Sequence, residues 1–224
     1  MLVVAVARCA PRLEDRLAIT YPLSFPQSQA TPAQITLSAE NVVAVGSSPF
    51  TFSEQSYVYS GQRWTASVTL PPMKRDFAEP WITFLMSLKG RQGYFLLSDP
   101  NAYEPQGLND GDIRVNGGGQ IGSTLTIDDM LPNLVGAFKA GDYLQIGEGA
   151  SCRLHKIMND VTSDALGSAT VDIWPDLRES PGNNDRVWFR GASGLFRLAS
   201  NITSWNINQI SSYGISFDCV EYVW

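Results

Sequence analysis

The sequence predicts a mainly β protein: a β barrel or sandwich with one flanking α-helix, interrupted by a small inserted β-barrel module. Three observations lead there. Short runs of apolar and polar alternation recur along most of the chain, the signature of half-buried strands. Gly and Pro number 19 and 13 among 224 residues and cut the sequence into turn-bounded pieces. Only one segment carries apolar residues at helical spacing.

In chain order, Met1–Ala10 holds the apolar run Leu2–Ala7, closed by Arg8. It is too short for a signal core or a membrane span and reads as a first edge strand or an arm on a neighbour. Strands follow at Leu17–Phe25 (broken by Pro22), Gln34–Leu37, Asn41–Val45, Phe50–Phe52 and Tyr57–Tyr59, with polar turns between them. Arg63–Leu70 alternates Trp64, Ala66, Val68 and Leu70 against Thr65, Ser67 and Thr69, and Pro71–Pro72 ends it because neither proline donates to a ladder. The helix spans roughly Glu79–Leu88. Pro80 falls at its first position with Glu79 as cap, Trp81, Phe84, Leu85 and Leu88 form one apolar face, and Gly90 stops it. Gly93–Ser98 is a strand.

The composition then shifts. Asn101–Gly119 is rich in Asn, Gly and Asp and reads as a linker. Short strands follow at Ile113–Val115, Thr124–Ile127, Asp142–Ile146, Arg153–Ile157, Ala169–Ile173 and Val187–Arg190, a spacing that suggests a small barrel. Gly118–Gly119 and Gly182–Asp185 bracket this stretch like hinges. Leu195–Ala199, Ile202–Ile210 and Ser212–Val223 return to alternation, with Tyr213, Ile215, Phe217 and Cys219 on one face. The expected organisation is one β domain from residues 1–100 and 191–224, with residues 101–190 as an inserted β module.

Composition narrows the function. Hydrophobic residues make up 44 %, enough for a core, while charged residues make up only 17 %, against roughly 25 % in an average soluble protein. The net charge of −6 is a poor match for duplex DNA or an anionic membrane, which call for a basic footprint. No apolar run is long enough for a transmembrane helix, so no membrane anchor is expected. The single His argues against catalysis, and no cofactor or metal is expected. Cys9, Cys152 and Cys219 form no Cys-x-x-Cys pair and no even-numbered disulfide framework, so they read as buried reduced thiols of a reducing compartment.

Candidate chemistry is sparse. Cys152 and His155 lie three apart on one strand, hence on opposite faces, which denies them the hydrogen bond a Cys–His nucleophile needs. Asp128–Asp129, Asp160 with Asp164 and Asp172 with Asp176 are carboxylate pairs of the kind glycosidases use, but they sit near turns, where Asp bonds its own backbone. Asn109-Asp110-Gly111-Asp112 is oxygen-rich but lacks the spacing and terminal Glu of a calcium loop and reads as a tight turn. Of the six tryptophans, Trp64 and Trp81 fall on apolar faces. Trp174 and Trp188 are the candidates for a glycan or partner contact, Trp174 because it precedes Pro175 at a strand end.

Several phrases together resemble a known family. They are Gly61-Gln62-Arg63-Trp64 running into Val68-Thr69-Leu70-Pro71-Pro72-Met73; Glu79-Pro80-Trp81 through Leu88-Lys89-Gly90-Arg91 to Gly93-Tyr94-Phe95; and Phe138-Lys139-Ala140-Gly141-Asp142-Tyr143-Leu144-Gln145-Ile146-Gly147. Ala169–Pro175 and Phe196-Arg197-Leu198 continue the pattern. The chain resembles distal tail proteins, minor tail proteins of long-tailed, non-contractile bacteriophages, over most of residues 17–221. Met1–Arg16 has no counterpart and reads as an extended arm. The resemblance implies a tail-tube-like barrel and a structural, non-enzymatic role in the virion tail tip or baseplate, assembled in the host cytoplasm. Its partners would be further copies of itself in a hexameric ring, the tail tube protein, the hub and other tail-tip proteins, the tape measure protein and fibres. DNA would only pass through the lumen, lined by acidic residues. The alternative expectation is a carbohydrate- or receptor-binding module of the tail tip, with residues 101–190 as the binder.

Overall fold

The computed structural model describes residues 19–26 and 31–223. The expected Met1–Arg16 arm with its Leu2–Ala7 strand, Cys9, the start of the strand expected over Leu17–Phe25, and Trp224 lie outside the described residues.

The protein is mainly β, with two six-stranded antiparallel sheets and one α-helix. The first sheet draws its strands from both ends of the chain: β1 (Gln34–Ser47), β2 (Glu54–Thr69), β3 (Phe95–Leu97), β10 (Gly194–Leu198), β11 (Trp205–Ile207) and β12 (Tyr213–Glu221). Its order is β1-β2-β12-β10-β3, with β11 paired to the start of β12. Met73 bridges Tyr213 on the β2 side of β12, so β11 lies on the β10 side. The second sheet uses only the stretch between: β4 (Arg114–Val115), β5 (Gly122–Asp128), β6 (Tyr143–Ile146), β7 (Arg153–Ile157), β8 (Ala169–Leu177) and β9 (Val187–Trp188). Its order is β4-β5-β8-β7-β6-β9. An Arg114–Arg186 bridge, with the Val187 N–H donating to the Ile113 carbonyl at 3.0 Å, brings β9 back to β4 and nearly closes a barrel.

Each sheet buries its own core. In the first, Trp64 and Ala66 of β2 pack with Trp81 and Leu85 of helix α1 (Arg75–Ser87), with Leu88 at its C-cap, and with Phe95 and Phe196. In the barrel, Val115, Leu125, Ile127, Phe138, Leu144 and Val171 point inward and are fully or almost fully buried. The predicted apolar face of the helix is therefore correct, but its start is not. The helix begins at Arg75, with Lys74 at the cap, and Pro80 is its sixth residue. The proline lacks only the N–H that would reach the Asp76 carbonyl. The turn before it is held by the Phe77 and Ala78 N–H groups on the Lys74 carbonyl, and an exposed Arg75–Glu79 pair at 2.8 Å lies over it. Burial of Ala78 rewards that extra turn.

Gly90 ends the helix for a reason that can be measured. Its φ is +67°, and a Cβ there would lie 2.9 Å from the Asn201 Cα. Gly90→Ala is expected to lose about 1–2 kcal/mol in chemical denaturation, from the left-handed backbone alone.

Other expectations need correction. Gln34–Leu37 and Asn41–Val45 are one 14-residue strand, and Tyr57–Tyr59 with Arg63–Leu70 are one 16-residue strand. The two pair throughout, with an irregularity between Asn41 and Val43, while Phe50–Phe52 forms the connecting turn. Of the strand expected over Leu17–Phe25, only Leu23 pairs among the described residues, with Phe95. Within Ile202–Ile210 only Trp205–Ile207 is a strand. Asn101–Gly119 is not a linker: it enters the barrel wall. Asn109 and Ile113 are buried, and Gly107 packs against the backbone of Ala137 and Phe138 so closely that no Cβ would fit. Its glycines serve close approach, not flexibility. The expected hinges are the two halves of one contact at the barrel end, where the Gly117 N–H donates to Asn183 Oδ1 at 2.8 Å. Finally, β8 runs on through Pro175. The register against β5 shifts between Gly122 and Thr124, opposite Leu177 and Asp172, so the proline sits in a bulge where no ladder donor is needed.

Candidate functional site

The residues singled out for nucleophilic chemistry do not meet. Cys152 lies just before β7, and its Sγ bonds the Ser193 carbonyl at 3.0 Å. His155, on β7 and fully buried, points its Nδ1 to the Pro175 carbonyl of β8 at 2.7 Å, so that nitrogen carries the proton. Burial pushes the Cys152 thiol up to about 11 and the Cys219 thiol up to about 12. Neither is a thiolate at neutral pH, and nucleophilicity resides in the thiolate. Native protein treated with iodoacetamide at about pH 8 is expected to stay unlabelled at both positions, with full labelling after unfolding, as read by peptide mapping.

Three of the paired carboxylates, those of Asp160, Asp164 and Asp172, are committed to other partners. Asp160 pairs with the Lys139 ammonium at 2.7 Å, and that hydrogen bond holds its carboxyl below the usual range. Asp164 accepts the Ser168 and Leu166 N–H groups, which lower it too. Asp172 accepts from the Asn159 amide, and the Asp176 N–H bonds Gln62. Asp128 is raised, by burial and then by the neighbouring Asp129. In the oxygen-rich turn, Asp110 pairs with Arg190 at 2.8 Å and Asp112 with Arg114 and Arg186 at 2.5 and 2.9 Å. Arginines occupy the places a cation would take. Among the described residues no group of three or more His, Cys, Asp and Glu is arranged to hold a metal ion.

Trp174 and Trp188 project from the same outer face of the barrel, but not side by side. Trp174 is opposite Lys156 and Trp188 opposite Gln145, so strands β7 and β6 stand between them. Trp174 is not an open platform. Its ring packs edge-on against Trp64 with centroids 4.6 Å apart, and its Nε1–H donates to Asn41 Oδ1 at 2.9 Å. The Arg186 guanidinium covers one face of Trp188 at 3.8 Å, and the Trp188 Nε1 is buried with no hydrogen-bond partner among the described residues.

The most elaborated polar site is the seam between the two sheets. Arg178, just beyond β8, grips Glu221 of β12 through two parallel bonds of 2.8 and 2.9 Å. Glu221 is 4 % exposed as a residue. Its Oε2 also accepts the Trp64 N–H at 3.0 Å, and Arg178 reaches the Gln62 carbonyl as well. The Trp64 indole donates to the Leu154 carbonyl at 3.0 Å, and Gln62 Oε1 accepts the Asp176 N–H at 2.7 Å. Apart from the Trp64 N–H to Glu221 bond, which ties β2 to β12 within the first sheet, these bonds cross from β2 or β12 to β7 or the end of β8. Such a set fixes orientation; it offers no nucleophile, base or electrophile. Sequence reasoning placed Trp64 on an apolar strand face, named Gln62 only within a motif, and missed Arg178 and Glu221. One signal pointed to Glu221: by period 2 it shares the apolar face of Ile215, Phe217 and Cys219, where a lone acid requires a partner.

No family model matches the chain, and no curated protein matches it.

Proposed function

We propose that this chain is a structural protein of the tail tip of a long-tailed bacteriophage, a subunit whose copies form a ring joining the tail tube to the hub and the receptor-binding apparatus. One observation carries the reading: the first sheet is open, with unpaired edges on its two opposite sides. Among the described residues nothing pairs with the outer edge of β1 along its 14 residues, and β11 is bonded only to β12. A monomer normally blunts or covers such edges, whereas a ring of copies uses them. The sequence phrases that resemble distal tail proteins support the same reading, since they fall on structural joints. Gly61–Trp64 meets the seam, Val68–Met73 and Glu79–Arg91 build the turn into α1 and its end, and Phe138–Gly147 leads into β6.

In such a ring the sheet face away from α1 turns to the channel. That face presents Thr36 and Ser38 of β1, Thr65, Ser67 and Thr69 of β2, and Ser216 of β12, each cross-strand from another member of the set or its neighbour. Its charges are the Glu40–Arg63 pair, Asp218 and Arg197. The lining is thus near-neutral and hydroxyl-rich where an acidic one was expected. Two acids and two arginines balance on this wall, so it carries no net positive field to hold a polyanion. The barrel hangs from the opposite side through the Arg178–Glu221 seam, available to further tail-tip proteins.

Electron cryomicroscopy of the full-length protein at micromolar concentration, and of virions carrying it, tests the proposal. A sixfold ring at the tube end is the expected result. Monomers alone by mass photometry, together with absence from purified virions, overturn it.

A further inference from the structure

The barrel strands are all antiparallel, so the start of β4, the end of β5, the start of β6, the end of β7 and the start of β8 lie at one end of the barrel. Arg178, just beyond the end of β8, lies at the other. Three loops cover the first end: residues 107–112, 129–136 and 163–168. Hydrogen bonds lock them together. The Leu108 N–H donates to the Gly136 carbonyl at 2.9 Å, the Met130 N–H to the Gly167 carbonyl at 3.1 Å and the Asn133 N–H to the Asp164 carbonyl at 2.8 Å. Ser163 is 4 % exposed; its Oγ donates to the Leu131 carbonyl and accepts the Leu134 N–H at 2.8 Å.

These fixed loops hold four aliphatic side chains in solvent. Leu108, Leu131, Val135 and Leu166 are 68, 60, 73 and 86 % exposed. Apolar residues scattered singly over a surface mean little, but four on interlocked loops at one barrel end are grouped, and grouped apolar surface marks an interaction site. Because the loops are already held, a partner binding there has little ordering cost to meet. The surroundings are acidic. The three loops carry Asp110, Asp112, Asp129 and Asp164 and no Lys or Arg, and Asp128 ends β5 beside them. Asp110 and Asp112 have arginine partners. Asp128, Asp129 and Asp164 make no ion pair among the described residues. Burial first, and then the charge of Asp129, holds the Asp128 carboxyl above its usual range.

This combination selects its occupant. An anionic membrane or a nucleic acid is repelled by unpaired carboxylates. A second copy docked patch to patch would set acid against acid. An apolar centre with a polar rim is the anatomy of a protein interface, and the complement of this one is aliphatic with a cationic rim. We infer that this barrel end is the docking site for a segment of another protein, one that presents aliphatic side chains flanked by Lys or Arg. The loops belong to the barrel alone, so the inference goes beyond the ring reading and does not depend on it.

The test uses the full-length protein and three synthetic peptides: an amphipathic helix with a Leu face and a Lys face, an analogue with Ser for Leu, and an analogue with Glu for Lys. The Leu/Lys peptide is expected to bind and to protect amides of residues 129–136 and 163–168 from hydrogen exchange. Each analogue is expected to bind at least about tenfold more weakly. Val135→Ser with Leu166→Ser is expected to weaken the Leu/Lys peptide about tenfold, and Asp128→Asn with Asp129→Asn about three- to tenfold while flattening its salt dependence. All four positions lie outside the buried core, so the variants are expected to unfold at the same urea concentration as the parent. No binding, equal binding of the Ser analogue, or protection confined to other segments overturns the inference. So does protection of these loops by anionic vesicles, or by protein concentration alone.

Discussion

Arg178→Ala is expected to destabilise the protein by about 3–5 kcal/mol, the usual cost of stripping a buried charge of its partner. The Glu221 side chain is 4 % exposed and that of Arg178 26 %, so water cannot replace the guanidinium at the carboxylate. The two parallel bonds, 2.8 and 2.9 Å long, would go together, and so would the Arg178 bond to the Gln62 carbonyl. Urea unfolding followed by tryptophan fluorescence reads the loss directly, because Trp64 and Trp174 pack against each other in the same seam. Two companions make the cause identifiable. Arg75→Ala removes an exposed helix pair and is expected to give no resolvable change. Arg178→Met with Glu221→Leu is expected to recover part of the loss, since an apolar pair of similar volume is often as stable as a buried ion pair. Recovery stays incomplete because the Trp64 N–H loses its acceptor, worth about 1–3 kcal/mol for a buried donor left unpaired. A full loss in the single variant with no recovery in the double would place the energy in packing of the arginine stem instead of in the charge.

The seam also marks where sequence reasoning stops. Elements with one buried face were legible. Trp64, Ala66 and Val68 announced β2, Trp81, Phe84, Leu85 and Leu88 announced α1, and Arg153–Ile157 was correct to the residue. The outer ribbon was not legible as a continuous element. With both faces in solvent, Asn41–Gln62 carries no alternation to read, and period 2 is informative only where one side is buried. The Gly-rich stretch from Asn101 failed for another reason. Composition reports glycine, but not whether its missing Cβ serves a flexible turn or lets two backbones touch, as at Gly107. Pro175 ended a strand on paper because ladder chemistry forbids it in a regular strand, and a bulge lifted the prohibition. For the candidate site, the separation of Cys152 from His155 followed from strand geometry alone. The Arg178–Glu221 pair joins residues 43 apart in sequence and two different sheets, a long-range pairing that local pattern does not encode.

Acidification from pH 7 toward pH 4 is expected to cost about 3 kcal/mol of stability through His155 alone. The ring is completely buried. Burial is the largest influence, depressing its pKa from 6.5 to about 4; the bond to the Pro175 carbonyl and the nearby Glu221 oppose the shift, and Arg178 and Arg153 add to it. The sign follows from proton counts. Between about 4 and 6.5 the unfolded chain binds a proton that the folded chain refuses, so acid favours unfolding throughout that window; stability is regained as pH rises through it and levels off above 6.5. Asp160 and Asp164 act below it. Their folded-state pKa values lie under the carboxylate value of 3.8, so their contribution is present above that pH and is lost only as pH falls further. The two effects therefore separate on the pH axis. His155→Gln preserves a donor for the Pro175 carbonyl while removing the titration, and it is expected to flatten the stability profile between pH 4 and 6.5 without changing the decline below 3.8. An equally steep profile in that variant would assign the slope to the carboxylates. The Pro175 carbonyl lies in the β8 bulge, one residue from Trp174 and three from Arg178. Charging His155 would therefore place a cation beneath the strand that holds the seam, beside two arginines already there, and its first structural consequence is expected at the junction of the two sheets.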